Sequence, residues 1–156
     1  MSNNKTAKPN NLAVEGAKFY FKNFRGAQTD FSPAGKRSFG IFIDPEMAEQ
    51  LANDGWNVKY TKPTPDRESV PYMQIEARFD NFPPKILMMT SGSSGKTLIT
   101  EETVALLDTA EIVNCDIVIT PYCWELPSGV SGIKAYLHTM YVTIQEDQFA
   151  AKYGEI

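Results

Sequence analysis

Residues 112–144 read IVNCDIVITPYCWELPSGVSGIKAYLHTMYVTI. Two runs rich in Ile, Val, Thr and Tyr, Ile112 to Trp124 and Ile133 to Ile144, flank Pro127, Ser128, Gly129 and Gly132. Branched and aromatic side chains suit a pleated, half-buried surface, and a Pro/Ser/Gly cluster between two such runs marks a chain reversal. The stretch predicts a long β-hairpin that closes the domain.

Upstream the same signals recur in shorter pieces. Ala17 to Phe24 (AKFYFKNF), Lys36 to Ile43, Trp56 to Tyr60, Tyr72 to Phe79 and Lys85 to Thr90 each read as strands. Two short helices interrupt them. Asp44 caps the first, with Pro45 at its opening position, Glu46 at its positive end, an inner face of Met47, Ala48 and Leu51, and Gly55 as a stop. Thr100 caps the second through Asp108, with Glu101 and Glu102 in its first turn. Thr61 to Pro71, with three prolines, is a loop. Seven strands and two brief helices predict an all-β domain, an OB-like antiparallel barrel, because that barrel type accepts a helix between strands and long loops. Residues 12–144 form this domain. Residues 1–11 are expected to be a flexible polar arm and 145–156 a short acidic or amphipathic tail with Phe149 and Tyr153 four apart.

At 156 residues and 42% apolar content, one domain with a real core is expected. No apolar run approaches the roughly 20 residues that span a bilayer, and the polar start is no secretory signal. Cytoplasmic residence is therefore expected. Cys115 and Cys123 fall in one strand, too far apart to pair, and are expected to be free buried thiols.

The net charge of −4 argues against nucleic acid, but its distribution does not. Residues 1–100 carry 13 Lys and Arg against 10 Asp and Glu, whereas residues 101–156 carry 2 against 9. A basic surface beside an acidic region is expected.

Catalytic constellations are weak. Ser91 to Thr97 (SGSSGKT) lies where a phosphate-binding loop would lie, yet Thr90 stands where the pattern needs a small residue, and no later apolar strand ends in a metal-binding Asp. A hairpin loop is the better reading. His138 is the only histidine and has no nucleophile signature near it. The carboxylates do not recur at metal-site spacing. The expectation is a protein that is not an enzyme and needs no cofactor or metal.

The positive signal is aromatic residues interleaved with basic ones. In the first strand one face carries Ala17, Phe19 and Phe21, a core stripe, and the other carries Lys18, Tyr20, Lys22 and Phe24. Arg25, Lys36 and Arg37 continue the theme, as do Trp56, Lys59 and Tyr60, and then Tyr72, Arg78, Phe82 and Lys85. Cations meet phosphates, and unpaired bases stack on rings. Lys18, Lys22, Arg25, Lys36, Arg37, Lys59 and Arg78 are the candidate phosphate contacts. Tyr20, Phe24, Trp56, Tyr60 and Tyr72 are the candidate stacking residues.

The chain also resembles small phage-encoded single-stranded-DNA-binding proteins of OB-fold type. The resemblance rests on Phe21-Lys-Asn-Phe24 with Gly26, on Gly35-Lys-Arg-Ser-Phe39 leading into Ile41 and Ile43, and on Gly55-Trp-Asn-Val-Lys59. Pro83-Pro-Lys-Ile86, Gly132-Ile-Lys-Ala-Tyr-Leu137 and Tyr141-Val-Thr-Ile144 complete it, so that it spans residues 12–150. It implies sequence-independent binding of single-stranded DNA in phage replication or recombination, with replication or recombination proteins as further partners. Many such proteins end in a long acidic tail, from which the short run after Gln145 departs. An open edge strand would permit a homo-oligomer. The rival expectation is a protein-interaction module that docks on a host protein through the acidic last third.

Overall fold

The computed structural model describes residues 10–30, 32–80, 83–92 and 95–145. Most of the expected arm and tail, together with Phe82, falls outside the described residues.

The closing hairpin is present and is longer than expected. Strand β8, Ile112–Glu125, pairs antiparallel with β9, Ser131–Ile144, along the full length of both. Ahead of them come β1 (Leu12–Val14), β2 (Phe19–Asn23), β3 (Ser38–Phe42), β4 (Val58–Tyr60), β5 (Pro71–Glu76), β6 (Lys85–Thr90) and β7 (Lys96–Ile99). These strands join one sheet ordered β1-β8-β9-β5-β3-β2, with β4 on β5 and the β6–β7 hairpin on β9.

The sheet does not close, and two of its seams are parallel. Fourteen residues make β9 long enough to serve two partners on one edge. It meets β5 at Tyr136 opposite Glu76, then runs beside β6 from Thr139 to Ile144. The other edge of β6 is taken by β7, so β9 is what remains for it. The expected β-rich class holds, with this mixed and open ladder in place of an all-antiparallel barrel.

Helix α1, Pro45–Asn53, begins as its sequence dictates: the Asp44 carboxylate accepts from the Glu46 N–H at 3.0 Å. Ala48 and Leu51 face the core, whereas Met47, expected with them, is exposed. The second expected helix is a single 3-10 turn over Val104–Asp108, which buries Val104 and Leu107. Strands β1 and β7 were not expected. Each is too short to show a period, and each is held by a longer neighbour, β8 for the first and β6 for the second. The core joins Phe39 and Ile41 of β3 and Met73 and Ile75 of β5 to Ile86, Ile117, Ile119, Met140 and Val142. Cys115 is buried in this core, while Cys123, contrary to expectation, is exposed, and neither is in a disulfide.

Candidate nucleic-acid interface

The site is organised by an irregularity in β2. Phe19 lies opposite Ile41, but Phe21 lies opposite Gly40, so one extra residue is inserted between them. A one-residue slip moves every following side chain to the other face. Phe19 therefore points inward against Phe24 and Phe39. Tyr20 and Phe21 both lie on the outer face.

That displacement corrects the expected faces. Phe21, read as core, lies over Gly40: a Cβ there would sit 2.5 Å from ring atom Cε1 and 2.8 Å from Cδ1, so glycine is required. Phe24, read as a stacking residue, is 0% exposed and packs at 4.9 Å against Phe39. Lys22, read as a phosphate contact, is half-buried. Its ammonium lies 5.9 Å over the Phe19 ring and donates to the Ala110 carbonyl at 3.1 Å. Burial lowers its pKa, opposed by the Asp108 carboxylate.

On the outer face, the register of β3 and β5 sets Phe42 directly beside Tyr72. Tyr20 completes a ring cluster, with centroids 4.7 Å from Tyr72, 5.3 Å from Phe42 and 6.0 Å from Phe21. Tyr20 is 46% exposed. Lys59 of β4 lies opposite Tyr72 on its other side and donates to Gln74 Oε1 at 3.4 Å. Tyr60 is also exposed, but alternation puts it on the face opposite Lys59, away from the cluster.

Beyond Lys59 the face deepens into an open groove of about 480 Å³ between β4–β5 and the outer half of the β8–β9 hairpin. Lys36, Lys59, Gln74, Trp124 and Lys134 line it. Trp56, read as a stacking residue, is only 5% exposed here: its backbone bridges to Ile133, and its ring belongs to the core. A second hollow of about 500 Å³ shares Lys36, Glu76 and Lys134 with the first and adds Arg37 and Arg78. Together the two carry five cations, Lys36, Arg37, Lys59, Arg78 and Lys134, against Glu76, Asp80 and Glu101. Arg78 is held by Asp80 at 3.1 Å. Arg37 donates to the Phe24 carbonyl at 2.8 Å and meets Glu101 at 3.6 Å. Among the described residues no salt bridge engages Lys36, Lys59 or Lys134, which leaves them open to an anion. Lys18 and Arg25 are exposed at the ends of β2 and line neither hollow.

Sequence reasoning missed Phe21, Phe42, Gln74, Trp124, Lys134 and Tyr136. The hairpin residues carried a readable signal. Gly132, Lys134, Tyr136 and His138 alternate with Ile133, Ala135, Leu137 and Thr139, and the second set is buried. Both Lys134 and Arg78 approach the Tyr136 ring, at 6.0 and 5.8 Å. The basic face thus includes part of the last third, not the first hundred residues alone.

Two carboxylates of that acidic third are engaged by backbone N–H groups just past β1 and β2. Asp108 accepts from the N–H groups of Phe24 and Arg25 at 2.6 and 3.0 Å, and Asp116 accepts from the Gly16 N–H at 2.8 Å. Ser91 and Gly92 lie in the turn between β6 and β7, so the Gly/Ser segment joins two strands and does not open a helix. His138 Nδ1 lies 2.7 Å from Thr139 Oγ1. No group of three metal-ligating side chains occurs among the described residues, and no helix among them is long and apolar enough to cross a membrane.

A family model described as "Putative phage ssDNA-binding domain" matches residues 1–156. No curated protein matches the chain. Among solved structures, the single-stranded DNA-binding protein from bacteriophage Enc34 in complex with ssDNA aligns at a TM-score of 0.55 and 11% identity, covering 89% of each chain. A second structure of the single-stranded DNA-binding protein from bacteriophage Enc34 aligns at 0.53 and 13%, covering 89% of this chain and 83% of that one. Its C-terminal truncation aligns at 0.53 and 12%, covering 88% and 87%. At these identities the likeness is one of fold, and it agrees with the OB-like class.

Proposed function

The chain belongs to the phage single-stranded-DNA-binding domain family, and from that premise we propose that it coats single-stranded DNA, largely without sequence preference, along the outer face of β2, β3, β5 and β4. The observation that carries this reading is the half-exposed cluster of Tyr20, Phe42 and Tyr72 leading into a groove with three lysines that no salt bridge engages among the described residues. Rings stack on any base, and ammonium groups meet phosphates irrespective of sequence. Bases lie on Tyr20 and Tyr72, while Lys36, Lys59 and Lys134 follow the backbone, with Arg37 and Arg78 in the adjoining hollow. Lys18 and Arg25 serve as outlying contacts at the ends of β2. The role is binding without catalysis, in phage replication or recombination in the host cytoplasm.

Anisotropy of labelled oligonucleotides tests this. Single-stranded DNA, duplex DNA and RNA are compared at two salt concentrations. The expected result is tighter binding of single-stranded DNA than of duplex, weakening with salt at a slope of about −0.7 per phosphate neutralised. No binding at micromolar protein and low salt would sink the reading.

A further inference from the structure

The β8–β9 hairpin repeats a device already seen at Phe21 and Gly40. Trp124 lies directly across from Gly132. A Cβ built on Gly132 would sit 2.8 Å from ring atom Cζ2, 3.0 Å from Cε2 and 3.3 Å from Nε1. Three consecutive ring atoms at nearly one distance mean that the indole lies flat over the glycine. One face of the ring rests on backbone. Trp124 and Gly132 both line the 480 Å³ groove, and the ring is only partly buried. Lys134 is two residues beyond Gly132 on the same face of β9, and Lys36 and Lys59 stand across the groove.

A flat indole with one face backed by the sheet, in a groove whose three lysines outnumber its one carboxylate, Glu76, and make no salt bridge among the described residues, is what a nucleobase and its flanking phosphates require. We infer that Trp124 is a base-stacking residue forming a second platform for the bound strand, and that Gly132 is the residue that positions it. This rests on the proposed binding of single-stranded DNA and extends it from the strands of the first half to the hairpin. Trp56 lines the same groove but is only 5% exposed, so its emission is the background against which Trp124 is read.

The test pairs two readouts on the full chain with a dT oligonucleotide: anisotropy of the labelled DNA and intrinsic tryptophan fluorescence. Binding is expected to quench the wild-type emission. In W124F most of the quench should be lost, leaving only what the nearly buried Trp56 contributes, while affinity falls by less than about five-fold, since a phenyl ring still stacks. W124A should lose about five- to a hundred-fold in affinity. G132A, which tilts the ring, should weaken binding and reduce the quench per bound oligonucleotide while the urea unfolding midpoint stays above the range of the binding assay. Binding by anisotropy with a quench undiminished in W124F, or with W124A unchanged in affinity, overturns the inference and leaves the DNA reading standing. Absence of any wild-type binding overturns both.

Discussion

Two sets of three rings, drawn largely from the same strands, meet opposite fates. Phe19, Phe24 and Phe39 pack on the inner face with centroids 4.9 to 6.2 Å apart. Tyr20, Phe42 and Tyr72 gather on the outer face, with Tyr20 at 4.7 and 5.3 Å from the other two. Ring spacing does not distinguish them. What differs is burial: Phe24 and Phe39 are fully buried in the core with Phe19 packed against it, whereas Tyr20 is exposed and Phe42 and Tyr72 only partly buried. Two of the three outer rings end in a hydroxyl, which tolerates that exposure. On the proposed function, an inner ring should therefore act on stability and an outer ring on binding.

The largest expected effect tests the inner set. Phe39→Ala removes a ring that is fully buried and should cost about 3–5 kcal/mol of folding stability, read by urea denaturation. Affinity for single-stranded DNA, measured per folded molecule, should hardly move. A loss of affinity without a loss of stability would erase the distinction. The outer set predicts the reverse. Tyr72→Ala should weaken binding by about 1–3 kcal/mol and leave the unfolding midpoint near wild type, and Tyr72→Phe should bind nearly as well. The smallest effect concerns burial alone, on β8, where one thiol is buried and the other exposed. Cys123 should react with a thiol reagent in the native protein at neutral pH. Cys115 should stay silent until denaturation, because burial, with a smaller push from Asp116, raises its thiol to about 12. Two thiols reacting at one rate in the folded protein would contradict this.

Much of this fold was legible because its signals are local. The Asp44 cap, the turn between β8 and β9 and the alternation along β5 each lie within a few neighbouring residues. The candidate site was legible only in its composition. Tyr20, Tyr72, Lys36 and Lys59 were chosen for ring and charge and do come together. Phe24 and Lys22 were misplaced because nothing in AKFYFKNF marks where one extra residue will bulge. Trp56 looked like an exposed ring beside Lys59, but its bridge to Ile133 lies in a partner far along the chain. Trp124 was passed over for a related reason. Its role depends on which residue lies across the hairpin, and that is a property of register, not of the residue.

The pairing of β1 with β8 also bears on how the chain is made. Leu12 to Val14 find their partners at Ile117 to Ile119, and the Gly16 N–H finds Asp116, 100 positions later. At about 5–20 residues per second of synthesis, the first strand waits on the order of 5–20 s before its partner leaves the ribosome. For most of that interval Phe24, fully buried in the folded protein, also lacks Asp108, the carboxylate that holds its backbone N–H. A truncation before residue 112 would leave the first strand with nothing to join.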